Sequence, residues 1–141
     1  MSNTTNVQAI ITNLETIVGT TLGFNLELSL ASDPDVDTTA SAQILYQGED
    51  FMESFGEKPL SNELDILIKI QFREETPGDI RDLAVGYVHK LREGITINLL
   101  NVGALSASKM VSRVDHGPAE VEPDHPITEI DYHLKIRYRE V

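Results

Sequence analysis

The stretch Ile130-Asp131-Tyr132-His133-Leu134-Lys135-Ile136-Arg137-Tyr138-Arg139 decides the fold. Each even position is apolar or aromatic, and each odd one is charged or imidazole. A period of two turns alternate side chains to opposite faces, so this segment reads as a strand with one face buried and the other wet. A second stretch, residues 63–73, repeats the pattern. Leu64, Ile66, Ile68, Ile70 and Phe72 point one way, and Asp65, Lys69, Gln71 and Arg73 point the other. Strands buried on both faces read as continuous apolar runs, so half-buried strands favour an antiparallel or mixed sheet. Both strands are expected in one sheet, with their even-numbered apolar residues on its helix-covered face. A slip of one residue would turn all of them to water.

Two helices are expected to cover that face. Val7, Ile10, Ile11, Leu14 and Val18 recur at helical spacing, with Thr5 or Asn6 as cap and Gly19 as stop. The second helix opens at Thr76-Pro77-Gly78-Asp79, a cap residue followed by proline at the first helical position and an acid at the positive helix end. Its buried stripe is Ile80, Leu83, Ala84, Tyr87, Val88 and Leu91; Lys90 and Arg92 suit its last turn and Gly94 ends it. Further strands are expected over residues 24–30, 43–47 and 109–115. Residues 31–41, 48–62 and 115–126 read as loops, and residues 95–105 as a short strand or one helical turn. The order α-β-β-β-α-β-β gives an α+β fold, a single mixed or mainly antiparallel sheet with two helices packed on one face.

At 141 residues the chain fits one domain, residues 1–141, with no internal repeat or linker. Lys and Arg number 11 against 23 Asp and Glu, a formal charge of −12, which repels nucleic acid phosphates and anionic membranes. The polar start Met1-Ser2-Asn3-Thr4-Thr5-Asn6 is unlike a signal peptide, and no apolar run approaches the roughly 20 residues of a membrane span. Synthesis in the cytosol is expected. With no cysteine, disulfide and thiolate chemistry are absent.

Motifs for catalysis are hard to find. Asp33-Pro34-Asp35-Val36-Asp37 starts like a calcium loop, but Thr38 stands where glycine is needed and Ile44 where a bidentate glutamate is needed. His89, His116, His125 and His133 form no pair at helical ligand spacing, although His116 and His125 share one acidic, proline-rich segment. The phosphate-binding glycine loops and the G-x-S-x-G elbow are missing. No enzyme activity, cofactor or metal is expected.

The layout from Tyr46 onward resembles the tail terminator, or tail completion, proteins of long-tailed bacteriophages. The features carrying it are the N-terminal helix and Ile44-Leu45-Tyr46-Gln47-Gly48-Glu49 entering an acidic stretch. They also include Leu64-Asp65-Ile66-Leu67-Ile68-Lys69-Ile70-Gln71-Phe72, the Thr76-Pro77 helix start and the closing strand. The resemblance implies a structural virion protein. It would form a ring, a homohexamer in that family, that caps the tail tube and joins it to the head and neck proteins. DNA would pass through without specific binding.

Gly48, Phe51, Met52 and Phe55 are apolar or flexible residues in an acidic stretch, and are expected to form an assembly interface. Asp33, Asp35, Asp37, Glu49 and Glu53 are expected to give an acidic channel lining, which like-charged DNA would not stick to. The rival readings are a small α+β adaptor or binding module outside any virus and, behind it, an enzyme built from scattered carboxylates with His116 or His125.

Overall fold

The computed structural model describes residues 3–27, 40–51, 61–107, 109–124 and 126–139. Helix α1, Asn3–Thr16, continues into a wider π turn, Ile17–Thr21, and buries Val7, Ile10, Leu14, Ile17 and Val18. It starts before the expected cap, so Asn6 lies inside the helix and is fully buried. It also runs through Gly19, the expected stop, where an added Cβ would lie 2.9 Å from the Leu26 side chain. The left-handed residue that ends the segment is Gly23, at φ 79°.

One five-stranded sheet follows, in the order β1-β2-β3-β5-β4. Its strands are β1 (Asn25–Leu26), β2 (Ser41–Phe51), β3 (Ser61–Arg73), β4 (Val111–Asp124) and β5 (Ile127–Arg139). The short β1 pairs parallel to β2 and every other neighbour is antiparallel, so the sheet is mixed. The two stretches with the clearest alternation are direct neighbours. Leu64 faces Ile136, Ile66 faces Leu134, Ile68 faces Tyr132 and Ile70 faces Ile130. Each of these is at most 2% exposed. At about 1.5–3 kcal/mol per buried large apolar side chain, this double row is a principal source of stability.

Helix α2, Pro77–Gly94, lies where the sequence places it. Thr76 makes no side-chain cap; the Glu74 carboxylate accepts from the Glu75 and Thr76 N–H groups instead, at 3.0 and 3.2 Å. Tyr87 packs edge-on to Phe72 and tilted against Phe24, with ring centroids 5.2 and 5.5 Å apart. The ambiguous stretch after it is helical, as α3 (Ile97–Leu100) and a 3-10 turn (Gly103–Leu105). Thr96 caps α3 by accepting from the Leu99 N–H, and Asn13 of α1 ties it down by donating to the Leu100 carbonyl at 2.8 Å.

Two expected loops are corrected. Most of residues 115–126 belongs to β4, and the chain reverses between Asp124 and Ile127. Glycine and prolines there read as breakers. But β4 is an edge strand, and its register breaks between His116 and Ala119, where Gly117 and Pro118 sit. Gly117 is also held to glycine by proximity, since a Cβ would lie 3.1 Å from the His133 backbone oxygen. Similarly, residues 48–51 are strand rather than loop. The bulge between Tyr46 and Gly48, with Gly48 at φ 113°, disguises the alternation. Among the described residues no helix is long and apolar enough to cross a membrane.

Candidate assembly surface

Among the described residues, the large apolar side chains that remain exposed fall into three patches. The first is the corner where β2 ends. Phe51 is 66% exposed and Tyr46 is 52% exposed. The bulge inserts Gln47, which puts Tyr46 and Glu49 on the same, helix-covered side of the sheet. There the Glu49 carboxylate accepts from the Tyr46 hydroxyl at 2.7 Å and from the Tyr138 hydroxyl, while the buried Asn62 amide donates to Tyr138 at 3.3 Å. That hydrogen bond to Glu49 is the main reason the Tyr46 phenol is held above its ordinary pKa. Phe51 and this network, with Thr4, Val7 and Gln8 of α1, border a hollow of about 360 Å³.

The second patch is Ile97, Leu99 and Val102, on α3 and the turn after it. Beside it a hollow of about 350 Å³ is lined by Ile97, Asn101, Lys109, Val111 and Arg139, among others. Asn101 locks this corner by a two-way bond with Val111, its amide donating to the carbonyl and its oxygen accepting from the N–H, both at 2.8 Å. Lys109 takes a left-handed backbone, φ 48°, rare outside glycine and asparagine. The third patch is a groove of about 570 Å³ between α2 and the far half of β4. Val85, Val88, Val121 and Pro123 form its apolar walls and Arg81 and His89 its polar rim.

Of the expected interface residues, Phe51 is exposed at the end of β2 on the helix-covered side, and Gly48 is half-buried on the open side opposite Asp65. Met52 and Phe55 lie outside the described residues, as do Asp33, Asp35, Asp37 and Glu53. Glu49, expected on a channel wall, is half-buried with its oxygens held by the two tyrosines. The second and third patches were not anticipated. For the second, a signal was present: residues 97–113 contain Lys109 and Arg113 but no Asp or Glu, in a chain of net charge −12. The groove had none, because β4 and α2 meet only through the tertiary fold.

His116, the other candidate, is used within the fold. Its Nε2 lies 3.1 Å from the Ile95 carbonyl oxygen, which can only accept, so Nε2 carries the hydrogen. Its Nδ1 then accepts from the Tyr132 hydroxyl. Burial pushes the imidazole below its ordinary pKa and outweighs the Ile95 bond; nearby Arg92 lowers it further and Asp115 opposes. Burial pushes Tyr132 up to about 12. Both shifts keep the pair neutral, as this hydrogen bond requires. His125 lies outside the described residues, His89 rims the groove, and His133 sits half-buried on the open sheet face opposite Leu67. No protein-family model matches this sequence, and no curated protein sequence is significantly similar to it.

Proposed function

We propose that the chain is a structural subunit that associates with copies of itself into a ring, most simply a hexamer. That ring caps the tail tube of a long-tailed bacteriophage and joins it to the head and neck proteins. One observation carries the reading: among the described residues, exposed apolar side chains gather in patches at opposite edges of the sheet, the arrangement a subunit needs to touch two neighbours at once. The resemblance of the element order to tail terminators supports it, and the strongly acidic composition suits a ring that lets DNA through. The virion tail is then its station.

Native mass spectrometry of the purified full chain, with negative-stain electron microscopy, tests this. A closed ring is expected. A monomer at all concentrations, or a two-fold dimer, rejects the ring. A dimer would favour the rival reading, a binding module outside any virus, for which the α2–β4 groove offers a seat for a partner segment.

A further inference from the structure

The end row of the sheet joins two of the exposed patches. Phe51 on β2 faces Asn62 on β3, Asn62 faces Tyr138 on β5, and Tyr138 faces Val111 on β4. The row is four strands wide, roughly 14 Å at the usual spacing. The Phe51 corner stands at one side and the α3 platform at the other.

The two ends are opposites in sign and alike in layout. Phe51 lies on the helix-covered side, and next to it Asp50, paired with Glu63, lies on the open side. At the other end Ile97 and Leu99 are exposed on α3 and Val102 just after it, and α3 packs against α1 on the helix-covered side. Arg139 lies on the open side, by its pairing with Ser61, and so does Arg113, which is already held by Asp115 at 2.7 Å. Lys109 and Arg139 line the hollow there. Set edge to edge, apolar therefore meets apolar on one side of the sheet and acid meets base on the other.

We infer that these ends are the two halves of one head-to-tail contact between copies of this chain. Phe51 of one copy seats in the hollow beside Ile97 and Val111 of the next, and Asp50 meets Arg139 and Lys109. The inference rests on the ring reading and specifies its interface. A contact between unlike surfaces is heterologous, and it closes only if each step is a pure rotation. Two surfaces in the same row differ little in height along the strands, which is the condition for a neighbour to be rotated with little rise. Joining the Phe51 corner to the α2–β4 groove instead would cross the sheet diagonally and build an open helix. The same-row contact is the one compatible with a closed ring.

The test uses the full chain and two exposed positions, Phe51→Asp and Val102→Asp, each checked for native circular dichroism. Each variant alone should lose the ring and self-associate about 30-fold more weakly or worse, the scale of losing a central apolar anchor. Mixed in equal amounts they should form a one-to-one heterodimer, because F51D keeps an intact platform and V102D an intact corner. A charge pair gives a second route that leaves the apolar surface alone. Asp50→Lys should weaken the ring, and adding Lys109→Asp should restore it, since aspartate tolerates that left-handed backbone. A wild-type chain that is monomeric or a two-fold dimer removes the ring reading itself. A wild-type ring that survives both single variants, or a mixture without heterodimer, removes only this contact.

Discussion

Replacing Ile136 by aspartate tests the register on which the whole fold depends, with Lys135→Asp as its neighbour on the other face. Ile136 is fully buried between Leu64 on β3 and Val114 on β4. Losing its burial costs about 1.5–3 kcal/mol. The new carboxyl must also stay protonated in that site, and holding a group of pKa about 3.9 neutral at pH 7 costs about 4 kcal/mol more. The total of roughly 6–7 kcal/mol is from nearly half to all of the roughly 5–15 kcal/mol that holds a domain together. Lys135 has a side chain 49% exposed, with its ammonium 3.5 Å from Glu63. Losing that pair costs about 0–1 kcal/mol. A carboxylate opposite Asp65 and Asp115 adds about 0.8 kcal/mol for each charge at roughly 5 Å in water, before screening. Lys135→Asp should thus cost about 2 kcal/mol and stay folded. Urea denaturation followed by circular dichroism reads both. Equal tolerance of the two changes would refute the register.

Other outcomes follow from individual sites. Because burial lowers the folded-state pKa of His116, the unfolded chain takes up the proton first. Stability should therefore fall as pH drops below about 6.5 toward the lower folded value, and His116→Phe should flatten that segment in urea midpoints taken from pH 7.5 to 5.5. Asn6 is fully buried and neither of its amide atoms has a hydrogen-bond partner among the described residues. Asn6→Leu, similar in shape, should raise stability by about 1 kcal/mol; a clear loss in the same denaturation assay would mean that the amide is satisfied. Lys109→Gly should relieve a left-handed backbone and raise the monomer's melting temperature, by an energy of up to about 1 kcal/mol. An unchanged or lower melting temperature would show that the lysine side chain contributes to the fold.

The core was legible because its signal is short-range. Alternation in residues 64–72 and 130–138 states which atoms face the helices, and the register between these strands follows from it. Helix α2 was legible for the same reason, with proline at its start and the apolar stripe inside. What failed to show was structure that depends on position in the sheet. Gly117, Pro118 and Pro123 mean a turn in isolation, yet on an edge strand they cost little, because one side of the ladder is unpaired. Gly48 hid the end of β2 by inserting Gln47 and changing which residues share a face. Helix α3, at four residues, is too short to display a period. Of the surface, the Phe51 corner was visible as aromatic residues among acids. The platform was written as a missing charge rather than as a motif, and an absence is harder to notice.

The charge of a channel lining can now be argued by face. With neighbours joined through the end row, either the open sheet face or the helix-covered side looks toward the ring axis. The open face carries Lys69, Arg73, Arg113, Lys135, Arg137 and Arg139 against Asp50, Glu63, Asp65, Asp115, Glu120, Glu122, Glu129 and Asp131. Several of these are paired across strands: Lys69 with Asp131 at 3.8 Å, and Lys135 and Arg137 with Glu63 at 3.5 and 3.4 Å. A cation with a carboxylate beside it releases few counterions when a phosphate approaches, so such a wall neither grips DNA nor strongly repels it. The helices are also close to balanced. Over Pro77–Gly94, Asp79, Asp82 and Glu93 stand against Arg81, Lys90 and Arg92, and α1 adds only Glu15. Neither face accounts for the net −12. Asp33, Asp35, Asp37, Glu53 and Glu57, with Lys58 among them, hold a net −4 of the excess, and Glu27, Glu74, Glu75, Asp124 and Glu140 hold a further −5, so neutralising the first group while DNA passage is measured tests the expected acidic lining.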